Sequence, residues 1–293
     1  MVVEIYYFSG TGNSLYVARE LQNRIPGLRL IPIAALLNKR LNERNKNIES
    51  TSETIGFVFP CHGLTIPIPV KKFLKSLDLT SSKYLFAIAT RGGSIFRGFS
   101  TIDKILNKQG KKLDASFIIN MALNDPKLKS FTIPTSEELD AIEKKVQEKL
   151  NLIHDTIINH ETYHDNTSGV TFSRFNTLNY ILERLVPFTV HHVAPKVKKY
   201  FYADSKCTGC GTCEKVCLSQ KITIVNDKPL WRNNIECYMC YTCLNYCPTQ
   251  SIQIYSKFYM KSFTEEKGRY PHPYAGVKDM IIQKSNEYTP RSL

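Results

Sequence analysis

Short apolar runs alternate with helix-like segments over the first 125 residues of the chain. Five runs have the length and composition of buried strands, at residues 2–8, 28–33, 54–59, 84–90 and 113–121. The stretches between them show the wider spacing of apolar positions that is typical of helices. Strands that alternate with helices predict a parallel sheet with crossover helices, so we expect an α/β, doubly wound, five-stranded fold.

Two helices are predicted beyond this sheet. Thr135 begins a capping-box sequence, and residues 135–158 carry charges as a long helix would. Residues 161–173 are polar and predict a loop. One helical stripe then follows and ends at Pro187; it is formed by Phe175, Leu178, Leu182 and Leu185. We interpret this stripe as a connector packed between domains, with a helix lying on a membrane surface as the alternative.

The last third of the chain has a different pattern. Short apolar segments at 221–225 and 251–254 each follow a cysteine-rich run, which predicts a small, two-stranded, pseudo-twofold α+β domain. The tail is too rich in proline around Pro271 and Pro273 for a helix or an inner strand there. The predicted units are therefore residues 1–150, a helical connector at 151–200, the small domain at 201–256, and a tail at 257–293 that folds back against one of the domains.

The turn after the first strand is rich in glycine and hydroxyl groups. It consists of Ser9, Gly10, Thr11, Gly12, Asn13 and Ser14, and it leads into a helix predicted at 15–22. Glycines let the backbone present its N–H groups closely, and a helix N-terminus favours an anion. The third glycine of a dinucleotide fingerprint and the lysine of a P-loop are both missing. The turn therefore predicts a cradle for a phosphomonoester, and an ordinary glycine turn is the alternative.

Ser-Gly-Thr-Gly-Asn-Ser after a first strand closely resembles flavodoxin, and the likeness covers about residues 1–150. The resemblance implies FMN beyond the carboxyl ends of the strands, with its phosphate in the turn. Two further loops would frame the flavin ring: Pro60, Cys61, His62 and Gly63 after the third strand, and Thr90, Arg91, Gly92 and Gly93 after the fourth. His62 stands where an aromatic residue is expected, and Arg91 replaces the usual acidic surroundings.

Three of these residues have open roles. Cys61 is interpreted as a small packed residue rather than a redox thiol. His62 is either a flavin contact or a plain loop histidine. A guanidinium near the ring would stabilise reduced flavin, so Arg91 predicts that FMN is the acceptor of electrons within this chain; the alternative is that Arg91 points into solvent.

Eight of the nine cysteines form two copies of the spacing C-x2-C-x2-C-x3-C. The first run holds Cys207, Cys210, Cys213 and Cys217, and the second holds Cys237, Cys240, Cys243 and Cys247. Zinc sites usually take their four ligands as two separated pairs. Triplets followed by a fourth cysteine instead favour iron–sulfur clusters over zinc.

Residues 201–255 resemble the bacterial-type ferredoxin that carries two [4Fe-4S] clusters. In such ferredoxins the fourth cysteine of each run binds the other cluster. The resemblance thus implies one cluster on Cys207, Cys210, Cys213 and Cys247, and a second on Cys237, Cys240, Cys243 and Cys217. One departure is Leu218, which follows Cys217 where the motif usually has proline.

A second metal motif is weaker. Residues 160–164, from His160 to His164, match the H-E-x-x-H pattern of zinc proteases. Such a site needs both histidines on one helical face together with a third ligand. The extended pattern fails because Thr167 and Val170 replace its glycine and histidine, so we interpret the match as coincidental.

Composition narrows the class of protein. Hydrophobic residues make up 42% and charged residues 22% of the 293, which is typical of a globular protein. We expect no membrane span and no secretory signal. Free cysteines suited to iron predict a reducing compartment, by default the cytoplasm. The net charge of +13 is interpreted as that of a generally basic protein, since no Lys/Arg run reaches five residues, with steering toward an acidic partner as the alternative; nothing predicts nucleic-acid binding.

The order of the segments resembles the flavodoxin–ferredoxin fusion proteins of anaerobic microbes, also called EFR-type ferredoxins. The resemblance implies an electron carrier that passes electrons between two [4Fe-4S] clusters and FMN and on to a redox protein partner. A flavin-dependent reductase, with a substrate near Cys61 and His62, is the alternative, and an iron–sulfur sensor is a third class. The partner, the oligomeric state and a small substrate are not indicated.

Overall fold

The computed structural model describes residues 2–42, 47–169, 176–197, 200–255 and 261–285. Within these residues, six parallel strands form one sheet in the order β2-β1-β4-β6-β7-β8. Their bounds are β1 Val3–Tyr7, β2 Arg29–Pro32, β4 Thr54–Pro60, β6 Tyr84–Arg91, β7 Ala115–Asn120 and β8 Tyr163–His164. Two short strands, β3 Ile48–Glu49 and β5 Leu77–Asp78, pair in parallel outside it. Counted along the chain, the first five strands of this six-stranded sheet (β1, β2, β4, β6 and β7) have the 2-1-3-4-5 order of flavodoxin.

The helices around the sheet are α1 Asn13–Arg24, α2 Ile33–Asn42, α3 Ile68–Leu74, α4 Gly98–Leu106 and α5 Ser136–Ile158. One apolar core joins α1 and α5 to one sheet face, and another joins α2, α3 and α4 to the opposite face. Alternate strand residues supply the two cores: Ile5 and Tyr7 belong to the first, and Tyr6 and Phe8 to the second. The doubly wound α/β prediction is confirmed, and the sheet has a sixth strand where a loop was predicted.

The connector differs from the prediction at its end. Helix α6, Asn176–Phe188, contains Pro187 and continues into a π-helical turn, Thr189–Val193, and a 3₁₀ turn, Ala194–Lys196. A proline this close to a helix end removes one N–H donor, and the wider turn carries the chain onward. Leu178 and Leu185 are exposed, and Phe175 lies outside the described residues. No helix among those described is long and apolar enough to cross a membrane.

The cysteine region, residues 201–255, contains two pairs of antiparallel strands. Strand β9 Phe201–Ala203 pairs with β12 Ile252–Ile254, and β10 Ile222–Val225 pairs with β11 Lys228–Trp231. The two predicted apolar segments therefore pair with different partners and not with each other. Short helices α7 Thr212–Val216 and α8 Thr242–Asn245 each carry one cysteine of a run.

The tail also forms a helix, α9 Val277–Lys284, which was not predicted. Its start is stabilised because the Gly276 N–H donates to the Asp279 carboxylate at 2.8 Å. Helix α9 packs on both α2 of the sheet region and α7 of the cysteine region. The tail therefore contacts both parts of the molecule.

Candidate metal centres and the glycine-rich loop

Four cysteines line one cavity in the cysteine region. Cys207, Cys210 and Cys213 come from the first run, and Cys247 comes from the second. Gly209 and Gly211 both have φ of +73°, a left-handed conformation that lets the first run curl around the cavity. Cys210 is exposed, so this cavity lies at the surface of the protein.

A second cavity has the reciprocal composition. Cys237, Cys240 and Cys243 line it together with Cys217 of the first run. Met239 and Tyr241 take the places of the two glycines and hold φ of +53° and +58°. Left-handed backbone costs about 1–2 kcal/mol for a residue with a side chain. The same loop geometry is therefore kept in both runs even where glycine is missing.

Hydrogen bonds reach the sulfur atoms in a repeated pattern. The fourth cysteine of each run accepts from the backbone N–H four residues later: Cys217 from Lys221 and Cys247 from Ser251, both at 3.3 Å. In the second cavity, the Thr242 hydroxyl donates to Cys240 Sγ at 3.1 Å. Donors to sulfur stabilise a thiolate and tune the reduction potential of a bound cluster.

Burial works against the thiolate form. It raises the pKa of Cys213 to about 12 and that of Cys240 to about 11, and it raises the pKa of Cys243 well above its ordinary value. At Cys247 burial also acts to raise the pKa, but hydrogen bonds from Ser251 and Thr249 outweigh it and leave the pKa lowered. Buried thiolates need compensating positive charge. The donor set therefore fits iron, whose charge supplies that compensation.

Each set of four cysteines lines a cavity, which is the arrangement that a [4Fe-4S] cluster requires. Among the described residues, no three His, Cys, Asp or Glu side chains converge closely enough to hold one metal ion. The four sulfurs of a [4Fe-4S] site bind four different iron atoms, so they surround a cavity instead of meeting at a point.

The second cavity lies against the sheet region. A Cβ placed on Gly10 would lie 3.0 Å from Cys240 Cβ and closer still to its carbonyl oxygen. The rings of Phe8 and Tyr238 meet edge to face with centroids 6.1 Å apart. The buried cysteine cavity therefore adjoins the turn after β1, while the other cavity opens at the surface.

A buried cation connects the sheet region to the second cavity. Lys127 is 2% exposed, and its Nζ donates to the Tyr200 hydroxyl at 3.0 Å. That hydroxyl lies 3.2 Å from the hydroxyl of Tyr241, which lines the cavity. Burial raises the pKa of the neighbouring Asp125 to about 6. The predictions did not include Lys127 because its partners are distant in sequence.

The predicted phosphate turn is buried and closely packed. The Gly12 N–H donates to Ser9 Oγ at 3.1 Å, and Asn13 Nδ2 donates to the Ala122 carbonyl at 3.1 Å. Ser14 Oγ lies 2.8 Å from Thr90 Oγ1, which joins the turn to the carboxyl end of β6. Gly12 has φ of +104°, which only glycine adopts readily.

The tail occupies the open side of this turn. The Ser9 N–H donates to Gln283 Oε1 at 2.7 Å, and Gln283 Nε2 donates to the Ser9 carbonyl at 2.8 Å. The His272 N–H donates to the Thr11 carbonyl at 2.8 Å. A phosphate needs free N–H donors at such a turn. In the described conformation the turn binds the protein's own tail, so the Ser9 N–H is not available to the phosphate of FMN.

The other predicted flavin loops lie at the same edge of the sheet. Burial raises the pKa of Cys61 to about 11, so its thiol stays protonated; Sγ lies 3.8 Å from Ser94 Oγ. Burial and the nearby His191 lower the pKa of His62 to about 3, and its ring meets Phe8 edge to face. His62 is therefore a half-buried residue that is neutral at neutral pH.

The remaining loop residues are also engaged. Arg91 Nε donates to Asn120 Oδ1 at 2.9 Å, and Nη1 donates to the Thr167 carbonyl at 3.1 Å. A Cβ on Gly63 would lie 2.6 Å from a Val190 methyl group, so the turn after α6 covers this loop. Pro60 is half-buried, Gly92 packs near Leu123, and Gly93 has φ of +91° with open space beside it.

The two histidines of the H-E-x-x-H match lie on different elements. His160 is in the turn after α5, where Nε2 lies 3.0 Å from Thr54 Oγ1 and the ring stacks on Tyr84. His164 is on β8, with Nδ1 3.0 Å from Ser116 Oγ. They do not share a helical face.

Comparison with known proteins supports the iron–sulfur region. Residues 206–252 match the family described as 4Fe-4S dicluster domain, which is less than half of the chain. No curated protein matches the chain. The cysteine region is therefore an iron–sulfur, electron-transfer region.

Solved structures give only weak likenesses. Rubredoxin oxygen:oxidoreductase from the anaerobe Desulfovibrio gigas is 17% identical with a TM-score of 0.31, covering 51% of this chain and 36% of its own. Trp repressor binding protein from Bacillus subtilis is 10% identical with a TM-score of 0.31, and the match covers 52% of this chain and 97% of that protein. The metal-soaked Flv1 flavodiiron core from Synechocystis is 14% identical with a TM-score of 0.29, and the match covers 55% of this chain and 37% of that protein. The chain thus spans about a third of the first and third proteins, and no property of the three is carried over.

Proposed function

We propose that the protein transfers single electrons through two [4Fe-4S] clusters. One cluster is assigned to Cys207, Cys210, Cys213 and Cys247, and the other to Cys237, Cys240, Cys243 and Cys217. The observation that supports this assignment is the composition of the two cavities, each lined by three cysteines of one run and the last cysteine of the other.

The placement of the cavities supports a route in series. The exposed Cys210 lets a redox partner approach the first cluster. The second cluster is buried between Tyr238, Tyr241 and the turn after β1. Electrons would therefore pass from the surface cluster to the buried cluster beside the sheet region, or in reverse.

FMN in the sheet region remains a proposal from the sequence. When bound, FMN supplies conversion between two-electron and one-electron chemistry. The turn at Ser9–Ser14 would hold its phosphate only after the tail has left. No electron-transfer step is assigned to FMN in the described conformation.

We favour a carrier over a reductase. A reductase needs an accessible site beside the predicted flavin loops, typically an open apolar pocket. Here burial raises the pKa of the Cys61 thiol to about 11, and Gly63, which follows His62, lies against Val190 of the turn after α6. The partner of the carrier is proposed to be a redox protein.

Anaerobic reconstitution followed by iron and sulfide analysis tests the proposal. We expect about eight irons and about eight sulfides per chain, with EPR signals that develop on one-electron reduction. Cys61→Ser is the matched control because it alters the one cysteine outside both cavities, and it should keep the full iron content. Stoichiometric zinc in place of iron, or iron loss in Cys61→Ser, would contradict the proposal.

A further inference from the structure

We infer that residues 270–284, named the clasp, close the glycine-rich turn, and that an anionic ligand reaches the turn only when the clasp moves away. The inference goes beyond the proposed electron transfer, which does not depend on it. It assigns to the tail a role that the turn's resemblance to flavodoxin does not include.

Gln283 is the centre of the contact. Its amide both accepts from the Ser9 N–H and donates to the Ser9 carbonyl, at 2.7 and 2.8 Å, and the side chain is fully buried. An amide that satisfies both groups of one residue replaces the hydrogen bonds that a ligand would otherwise make. The Ser9 N–H is therefore not available to a phosphate oxygen while the clasp is in place.

The backbone of the clasp blocks the turn sterically. A Cβ on Gly12 would lie 2.6 Å from Ala275 Cβ and 2.7 Å from His272 Cβ. The glycine here allows close approach of another part of the protein, as it would of a ligand. A phosphate group and the clasp cannot occupy this side of the turn together.

The charges at the contact also disfavour an anion. Burial lowers the pKa of His272 to about 4, so it is neutral at neutral pH and offers no positive charge. The clasp also contributes the negative charge of Asp279, and this carboxylate pairs with Arg19 on α1 at 2.5 Å. Glu143 on α5 also faces His272. The closed turn thus presents neutral or paired groups.

The clasp also reaches the iron–sulfur region. Lys284 Nζ donates to the Glu214 carbonyl on α7 at 3.1 Å, and the Tyr246 hydroxyl donates to the Ala275 carbonyl at 2.8 Å. Asn38 Nδ2 lies between the Leu218 and Lys284 carbonyls, at 3.3 and 3.2 Å. Because Leu218 follows Cys217, release of the clasp would alter the packing beside the buried cavity. Ligand binding at the turn and the environment of that cluster are therefore coupled, and such coupling is reciprocal.

The test measures FMN binding to the full chain with its clusters loaded under anaerobic conditions. Gln283→Leu removes both hydrogen bonds to Ser9 at similar volume. Gln109→Leu is the matched control, since Gln109 makes the same pair of bonds to Leu77 and Leu79 far from the turn. Arg19→Gln is a second release variant, which breaks the ion pair with Asp279 and leaves Gln283 intact.

We expect FMN affinity to rise about tenfold in both release variants and to stay unchanged in Gln109→Leu. Inorganic phosphate should compete with FMN. Adding FMN to the native protein should increase hydrogen exchange across residues 270–284, which a purely structural role of Gln283 would not produce.

Two outcomes would overturn the inference. One is full FMN occupancy in the native protein while residues 270–284 keep their protection from exchange. The other is the absence of FMN and phosphate binding in the native protein and both release variants. The iron content of the same samples tests the electron-transfer proposal separately.

Discussion

Replacing Gly12 by alanine should force the clasp away from the turn. The added Cβ would lie 2.6 Å from Ala275 Cβ, whereas real Cβ atoms essentially never approach closer than 3.0 Å. The clasp must therefore shift by at least 0.4 Å, the difference between these two distances. Since the contacting atoms lie at or next to the clasp backbone, the shift cannot be absorbed by one side chain.

Two costs add in this variant. Overpacking costs about 1–3 kcal/mol, and an alanine at positive φ adds roughly 1–2 kcal/mol of backbone strain. Gly27→Ala separates them: Gly27 has φ of +77° and no atom within 4 Å of its Cβ position. Both substitutions reduce the entropy of the unfolded chain similarly, so this effect cancels.

The assay is thermal melting under anaerobic conditions at one scan rate, combined with hydrogen exchange. Cluster loss makes unfolding irreversible, so only rates and apparent midpoints are compared. We expect Gly12→Ala to melt roughly 2 to 10 °C below Gly27→Ala. Exchange should increase across residues 270–284 in Gly12→Ala alone, with iron content unchanged.

Equal melting of the two variants, with the same protection of residues 270–284, would refute the reasoning. It would mean that the clasp does not contact Gly12. A large loss of iron in Gly12→Ala would show instead that the turn supports the clusters directly.

Three further predictions concern the clusters and pH. Cys217→Ser should damage the cluster assigned to Cys237, Cys240 and Cys243, although Cys217 lies in the first cysteine run. EPR spectra in which only the cluster of the first cavity is damaged would rule out the exchange of the fourth cysteines between the runs. Lys127→Met should lower the potential of the buried cluster by on the order of tens of millivolts relative to the exposed control Lys129→Met, because a buried cation stabilises the reduced cluster; equal potentials in a redox titration would remove that role. Burial lowers the pKa of His62 to about 3, so between about pH 6.5 and pH 3 the unfolded state binds a proton that the folded state does not, and stability falls as pH falls. Melting at pH 7.5 and pH 5, at one scan rate, should therefore show a smaller acid-induced fall in apparent midpoint for His62→Leu than for the native protein; identical falls would contradict the burial.

The sheet was predictable because its strands are buried on both faces. Strands of this kind appear as continuous apolar runs, so the predicted strand ends agree with the structure within two residues. Strand β8 was missed because two residues, Tyr163 and His164, carry no pattern, and their pairing with β7 depends on tertiary contact. The prediction that Pro187 ends its helix was wrong, since the chain accommodates the proline near a π-helical turn.

The two candidate sites differ in how far apart in the sequence their residues lie. The cysteine spacing is a short-range signal, so the two runs could be recognised from it, whereas the exchange of the fourth cysteines between the runs is implied only by the resemblance to two-cluster ferredoxins. The occupant of the glycine-rich turn could not, because Gln283 and His272 lie far along the chain and belong to no motif. Only Asp279, an acidic residue in the first turn that is followed by apolar Met280, would have indicated helix α9.

The contact between Ser9 and Gln283 also has a consequence for biosynthesis. The two residues are 274 positions apart, so at about 5–20 residues per second the ribosome makes Gln283 roughly 15 to 55 seconds after Ser9. During that interval the N-terminal sheet can fold while its glycine-rich turn still lacks the segment that later covers it. A nascent chain therefore passes through a period in which a small anion has unobstructed access to the turn. A cofactor that binds during synthesis does not have to displace the clasp.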